Sequence, residues 1–290
     1  MYYICAPIGQ FWDHAQSAIL THSKPQIHIG TQGWNYDAWV GPFFPVNTRP
    51  ADYLAVYSRA FNAVEVDSTF YGVPAPATFQ SWYDRTPHDF VFTLKLPQEI
   101  THEQRLRDSL GIGEMFYERA RELKQKLGPI LVQLSPDFEP NELPALVDFI
   151  GRIPSDIRFS IEFRHRGWMT EGVIALLRDR NVGLTLVDGR WIPRKIMLAL
   201  ARRPTADFAY IRWMGPNRNL VDFSRVQVDR GREIDAWVEA ISAMTTVTDV
   251  YGFVANHFSG HSPATARDFQ YQLGQRPVDP ATLGEQLSLF

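Results

Sequence analysis

The sequence predicts an α/β protein built as a closed (β/α)8 barrel in a single domain. Two observations lead there. Eight short apolar runs each end in a residue that breaks with its greasy neighbours, at Gly30, Glu65, Lys95, Gln133, Glu162, Asp188, Arg212 and Asn256. These ends lie 24 to 44 residues apart, which leaves room for one helix or loop in each gap. Strands that alternate with helices favour a parallel sheet covered by helices, and eight such units close it. Active sites of such barrels gather at the C-terminal strand ends, so the same eight positions mark where chemistry is expected.

The elements follow in order. Residues 1–24 have no clear period and read as a lead-in to a barrel spanning residues 25–274. The first strand ends at Gly30, and a long loop rich in aromatics, Pro and Gly follows; long loops without their own period are often functional. Pro50 suits a helix start, with Leu54, Tyr57 and Phe61 as its apolar stripe. Phe116, Ala120, Leu123 and Leu127 form another stripe, ended by Gly128-Pro129. Leu143, Leu146, Val147 and Ile150 form the next, and Val173, Leu176 and Leu177 the one after, with Thr170 as N-cap. The stretch from Asp188 to Phe208 shows no clear pattern. Ile234, Trp237, Val238 and Ile241 repeat the helical spacing, and Ser262-Pro263 opens a last helix through Ala266, Phe269 and Leu273. Beyond Gly274 the Pro- and Gly-rich stretch reads as a flexible tail over residues 275–290.

Composition narrows the class. The 290 residues are 45% hydrophobic and 21% charged, an ordinary globular balance. No apolar run reaches the roughly 18 residues of a membrane span. The first residues lack a basic stretch followed by a long apolar core, so a signal peptide is not expected. Cys5 is the only cysteine, which excludes an internal disulfide and fits a reducing cytoplasm. The net charge is -3, yet residues 178–232 hold 12 Arg and Lys against five Asp. That run is either solvated helix surface or a basic side that receives phosphate.

Strand side chains alternate, so residues two apart share a face. Glu65 and Asp67, Thr93 and Lys95, and Ser160, Glu162 and Arg164 then point into the barrel, with Gln133, Asp188, Arg212 and Asn256 at matching ends. Unpaired buried charge is costly, so these acids and bases are expected to offset one another. Such a set is either a structural salt-bridge network or a polar pocket. In the pocket reading, Glu162, Asp188 and Glu65 are the catalytic acids or bases. Lys95 and Arg212 bind an anion, Arg164 supports them, and Gln133 and Asn256 orient polar atoms. Trp34, Tyr71 and His165 fall at the same end and join the substrate-binding set. No cofactor motif is present, and no metal is expected; carboxylates with His165, His257 and His261 holding a divalent ion are the weaker alternative.

The order of short motifs resembles the YecE-like family, domain of unknown function 72. They are Ile29-Gly30-Thr31 with Gly33-Trp34, Glu65 through Tyr71, Lys95-Leu96-Pro97, Gln133-Leu134-Ser135-Pro136, Glu162-Phe163-Arg164-His165 with Trp168, Tyr210-Ile211-Arg212, and Asn256. The resemblance runs from about Ile27 to Phe269 and implies a TIM-type barrel with a polar pocket at the strand ends. It implies no reaction. Asp67 departs from an expected Asn and adds negative charge; Met214 departs from a frequent His.

The chain ends Gln286, Leu287, Ser288, Leu289, Phe290, which resembles the peptide that binds the bacterial sliding clamp at all five positions. Leu287, Leu289 and Phe290 suit an apolar groove, and Gln286 an orienting hydrogen bond. The same residues could instead pack on the barrel itself. The expected function is an enzyme acting on a phosphate-bearing or nucleic-acid substrate and recruited to the clamp. The rivals are a small-molecule enzyme, such as a sugar or sugar-phosphate isomerase or hydrolase, and a non-catalytic adaptor. A pocket too narrow for a strand favours the first rival.

Overall fold

The computed structural model describes residues 24–107, 110–216 and 219–284. Eight parallel strands close into a barrel in chain order. They are β1 (Gln26–Gln32), β2 (Ala63–Val66), β3 (Val91–Lys95), β4 (Leu127–Gln133), β5 (Phe159–Glu162), β6 (Gly183–Gly189), β7 (Phe208–Gly215) and β8 (Asp249–Val254). The helices are α1 (Tyr53–Ala60), α2 (Pro76–Asp84), α3 (Leu110–Ala120), α4 (Leu143–Arg152), α5 (Glu171–Asp179), α6 (Arg194–Ala201), α7 (Gly231–Ser242), the short α8 (Asn256–Ser259) and α9 (Ser262–Gln272). No helix among the described residues is long and apolar enough to cross a membrane.

Register decides which side chains face inward. Residues paired across parallel strands share a face. Gln32 pairs with Glu65, Glu65 with Thr93, Lys95 with Leu131, Gln133 with Glu162, Val187 with Arg212, and Arg212 with Phe253. These residues line the interior. Below them the interior is filled by Ala63, Leu131, Phe208, Tyr210, Tyr251 and Phe253, a core separate from the one between strands and helices. The outer core takes the alternate residues, such as Val64, Leu94, Val132, Ile161 and Ile211. Both layers lose apolar surface to water, the main force holding a barrel together.

Several local expectations are corrected. The first strand does not stop at Gly30 but runs to Gln32. Gly30 is needed because the Tyr57 hydroxyl wedges between β1 and β2, accepting from Thr31 N at 2.9 Å and donating to Ala63 O at 3.0 Å. A Cβ at Gly30 would lie 2.0 Å from that same Ala63 oxygen. Gly128-Pro129 does not end a helix; it lies inside β4, where the register against β3 shifts. Pro129 has no N–H to donate, so it is tolerated where the ladder is already irregular. The buried face of α4 is Ala145, Leu146, Phe149 and Ile150, while Leu143 and Val147 are exposed; the bulk of Phe149 sets the phase. The unpatterned stretch after Asp188 holds α6. Thr170 does cap α5, accepting from Val173 N at 3.3 Å.

The C-terminal stretch also differs from the expected flexible exit. Gln275 Nε2 donates to Ile27 O at 2.7 Å, Leu283 is buried, and Arg59 of α1 donates to Leu283 O. Gly284 then sits beside Pro45, in the loop that follows β1. Residues 275–284 are thus a strap along the outside of the barrel, running from the start of β1 past the last turn of α1 to Pro45. The clamp-like residues 286–290 and the lead-in residues 1–23, with Cys5, lie outside the described residues.

Candidate active site at the barrel mouth

The inward-facing strand ends assemble around Arg212, which is fully buried. Its Nε and Nη2 donate to Glu65, the latter at 2.7 Å, and its Nη1 donates to Glu162. Tyr210 OH donates to Glu65 Oε2 at 2.8 Å. Gln133 Nε2 lies 3.1 and 3.2 Å from the two oxygens of Glu162, and Arg164 Nε donates to Glu162 Oε1 at 3.0 Å. Beside this lattice, Lys95 Nζ is 3.2 Å from Asp67 Oδ1 and 4.3 Å from the centre of the Phe70 ring. Gln32 Nε2 donates to the same Asp67 oxygen at 3.1 Å. Asp67, where the family resemblance leads one to expect Asn, therefore serves as the partner of Lys95.

The two acids on Arg212 behave oppositely. Burial pushes the Glu162 carboxyl up, but Arg212, Arg164 and Gln133 outweigh it and hold it at about 2. Burial dominates at Glu65, with Asp67 adding to it, so its carboxyl is raised despite Arg212 and Lys95. The Arg212 guanidinium stays charged because Glu65 and Glu162 outweigh its burial.

A cavity of about 200 Å3 opens above this floor, bordered by Gln32, Tyr36, Glu162, Arg164, Trp191 and His257. Met214 borders it too, at the position where the family resemblance leads one to expect His. Arg190 stacks on Trp191 at 4.2 Å at its edge. Burial, reinforced by Asp67 and Glu65, lifts the Tyr36 hydroxyl to about 12, so it stays protonated.

Not every expected residue joins this site. Arg212 lies at the floor with each of its three nitrogens donating to a carboxylate, Nε and Nη2 to Glu65 and Nη1 to Glu162. Asp188 faces the other way: its register partner is Trp213, and its Oδ2 accepts from Arg194 Nε at 2.6 Å and Trp237 Nε1 at 2.9 Å in the helical layer. Val187 takes the inward position instead. Asn256 lies past β8, at the start of α8, where its Oδ1 accepts from Trp39 Nε1 and from Ser262 N and Oγ. It ties α8 to the outer core. His165 Nδ1 accepts from Gly167 N at 3.2 Å and caps a turn. Tyr71 is 77% exposed at the rim, and Trp34 borders a neighbouring groove.

Among the described residues no three His, Cys, Asp or Glu side chains converge as metal ligands would. His257 and His261 diverge across Gly260, and His261 Nδ1 is engaged by Phe223 O at 2.8 Å. The basic run over residues 178–232 also disperses. Arg203 pairs with Glu171, Arg194 with Asp188 and Arg230 with Glu233, while Arg212 and Arg190 lie at the mouth.

Sequence reasoning missed Gln32, Tyr36, Trp191 and His102. Gln32 shares the parity of Gly30, so extending the first strand by two residues would have found it. His102 sits in the turn Glu99–Glu103 after β3, edge-on to Phe70 at 5.1 Å. Its Nδ1 is 2.8 Å from Thr101 Oγ1, which also lies 3.3 Å from Pro97 O. Either ring tautomer satisfies this contact. Burial, with Arg164 and Lys95 nearby, lowers the imidazole and keeps it neutral.

Comparison with known proteins agrees with this architecture. The family described as "Protein of unknown function DUF72" matches residues 28–286. The chain is 31% identical over 169 residues to the UPF0759 protein YecE of Escherichia coli K12, covering 57% of this chain and 60% of that one. It is 28% identical over 159 residues to the UPF0759 protein YunF of Bacillus subtilis, covering 50% and 52%. The chain thus spans about 60% of the length of YecE and about half that of YunF. A DUF72 family protein from Thermotoga maritima superimposes with a TM-score of 0.71 at 24% identity, over 86% of this chain and 100% of that one. One from Enterococcus faecalis gives 0.68 at 20% identity, over 87% and 99%. With the family match extending over nearly the whole barrel and the same fold in these structures, the chain belongs to the DUF72 family.

Proposed function

We propose that the mouth receives a small anionic molecule, a phosphate-bearing one above all, and moves a proton on it. Arg164 carries this reading. Its Nε is held by Glu162, its terminal amino groups have no protein acceptor among the described residues, and it borders the mouth cavity. A guanidinium fixed at one nitrogen and open at the others is a bidentate receptor for phosphate or carboxylate. Lys95, buried against Asp67, adds positive charge nearby without bordering the cavity. A cavity of about 200 Å3 has room for a small molecule but not for a nucleic-acid strand, which supports the small-molecule enzyme over a nuclease. Glu162, held at about 2, is a weak base at neutral pH; in this reading it anchors Arg164 and Arg212. His102, lowered by burial and by the nearby Arg164 and Lys95, takes the proton instead. Calorimetric titration with inorganic phosphate tests the reading. Saturable binding is expected for the full chain and its loss in Arg164→Met. Equal binding by a folded Arg164→Met protein would overturn it.

A second element is recruitment to the sliding clamp by Gln286, Leu287, Ser288, Leu289 and Phe290. Its support is the sequence match. With residues 275–284 packed, the tether is shorter than the sequence suggested. Calorimetry with purified clamp should give micromolar affinity, or about -8 kcal/mol, that vanishes on deletion of residues 286–290. Unchanged binding after deletion would refute it.

A further inference from the structure

A larger hollow, of about 650 Å3, opens beside the mouth, between the loop after β1 and helix α2. Tyr36 borders both spaces and stands between them. A polar floor links the two. Asp67 borders the hollow and accepts from Lys95 and from Gln32, which borders the mouth. A ligand with an anionic group at Arg164 would extend its remaining atoms past Tyr36 and Asp67 into this space.

The walls state what those atoms should be. Trp34 is half-buried and meets the buried Trp82 edge to face at 5.8 Å, which gives a fixed aromatic wall. Around it stand the Asp67 carboxylate, the Asn35 amide and the hydroxyls of Ser68 and Ser81. A purely apolar ring would cover these polar groups and leave them unsatisfied. A small ion would leave the aromatic wall unused. A sugar ring meets both demands: its C–H face packs on an indole, and its hydroxyls bond to carboxylate, amide and serine. The volume suits a ligand of one or two rings.

We infer that the groove holds the sugar ring of a sugar phosphate whose phosphate lies at Arg164. The inference rests on the anion reading of the mouth. Calorimetry on the full chain tests both, using inorganic phosphate, then ribose 5-phosphate, glucose 6-phosphate and fructose 6-phosphate. At least one sugar phosphate should bind about tenfold tighter than phosphate alone. Ser81→Tyr, which fills the groove from α2, should cancel that gain and leave phosphate affinity unchanged. Trp34→Ala should do the same by removing the aromatic wall, with melting curves to confirm folding. If phosphate binds but no sugar phosphate gains, or if the gain survives Ser81→Tyr, the groove assignment fails and the anion reading stands. If phosphate itself does not bind, both fail.

Discussion

The barrel interior carries an arginine among carboxylates at each end, and the two arrangements differ. At the N-terminal end, Arg158 bridges Asp249 at 2.8 Å and Asp207 at 3.2 Å, while His28 stacks on Tyr251 and lies 3.6 Å from Asp249. The Arg158 side chain is 36% exposed, so water shares the load. At the mouth, the Arg212 side chain is 1% exposed and must be paired entirely by protein. Burial thus turns the most obvious cation of the mouth into a brace for Glu65 and Glu162. The spare donors lie one layer outward, on Arg164. Depth in the barrel, more than residue type, separates the structural charge from the one available to a ligand.

Variants can break this contrast, and Arg212→Met should have the largest effect. It leaves two buried carboxylates without a cation, so a loss of about 3–5 kcal/mol is expected in denaturant titration. A loss below about 1 kcal/mol would mean that water already reaches the lattice. Arg158→Met should cost about 1 kcal/mol, and raised salt should shrink the difference from the parent. Arg164→Met should change stability by no more than about 0.5 kcal/mol, because Glu162 keeps Arg212 and Gln133.

Acid sharpens the comparison within the mouth itself. Glu162 is depressed from 4.5 to about 2, so its stabilising effect is complete above pH 4.5 and is lost as pH falls toward 2. Glu65 is raised, so its effect has the opposite sign: it favours the fold below pH 4.5, and that contribution is lost as pH rises through its folded value. Melting temperatures measured from pH 6 to pH 2 should therefore fall less steeply in Glu162→Gln than in the parent. Glu65→Gln should not flatten that limb. At the other end Asp249 is depressed from 3.8, since His28, Thr248 and Arg158 outweigh its burial, so Asp249→Asn should flatten only the lowest part of the curve.

The barrel was legible because strand and helix periods differ and alternate along most of the chain. The inward set Glu65, Lys95, Gln133, Glu162 and Arg212 was legible for the same reason: parity of two fixes the face once a strand is placed. Asp188 failed because β6 places Thr185 and Val187 inward, and a polar terminal residue was read as inward without counting back to them. Asn256 failed because the chain had already left β8. Arg212 was placed correctly, but its pairing with both Glu65 and Glu162 was not legible, since sequence shows a charge without showing how many acids surround it. His102 carries no local signal; its setting is made by Lys95, Phe70 and Arg164 from other parts of the chain.

The account rests on the division of labour between Arg212 and Arg164. A crystal soaked in selenate tests it most directly, because selenium marks the anion by its anomalous signal. The expected result is a peak within hydrogen-bonding distance of the terminal nitrogens of Arg164, with Lys95 nearby and the pairs of Arg212 with Glu65 and Glu162 intact. A peak at Arg212 with those pairs broken, or selenate bound elsewhere on the protein while the mouth stays empty, would contradict it.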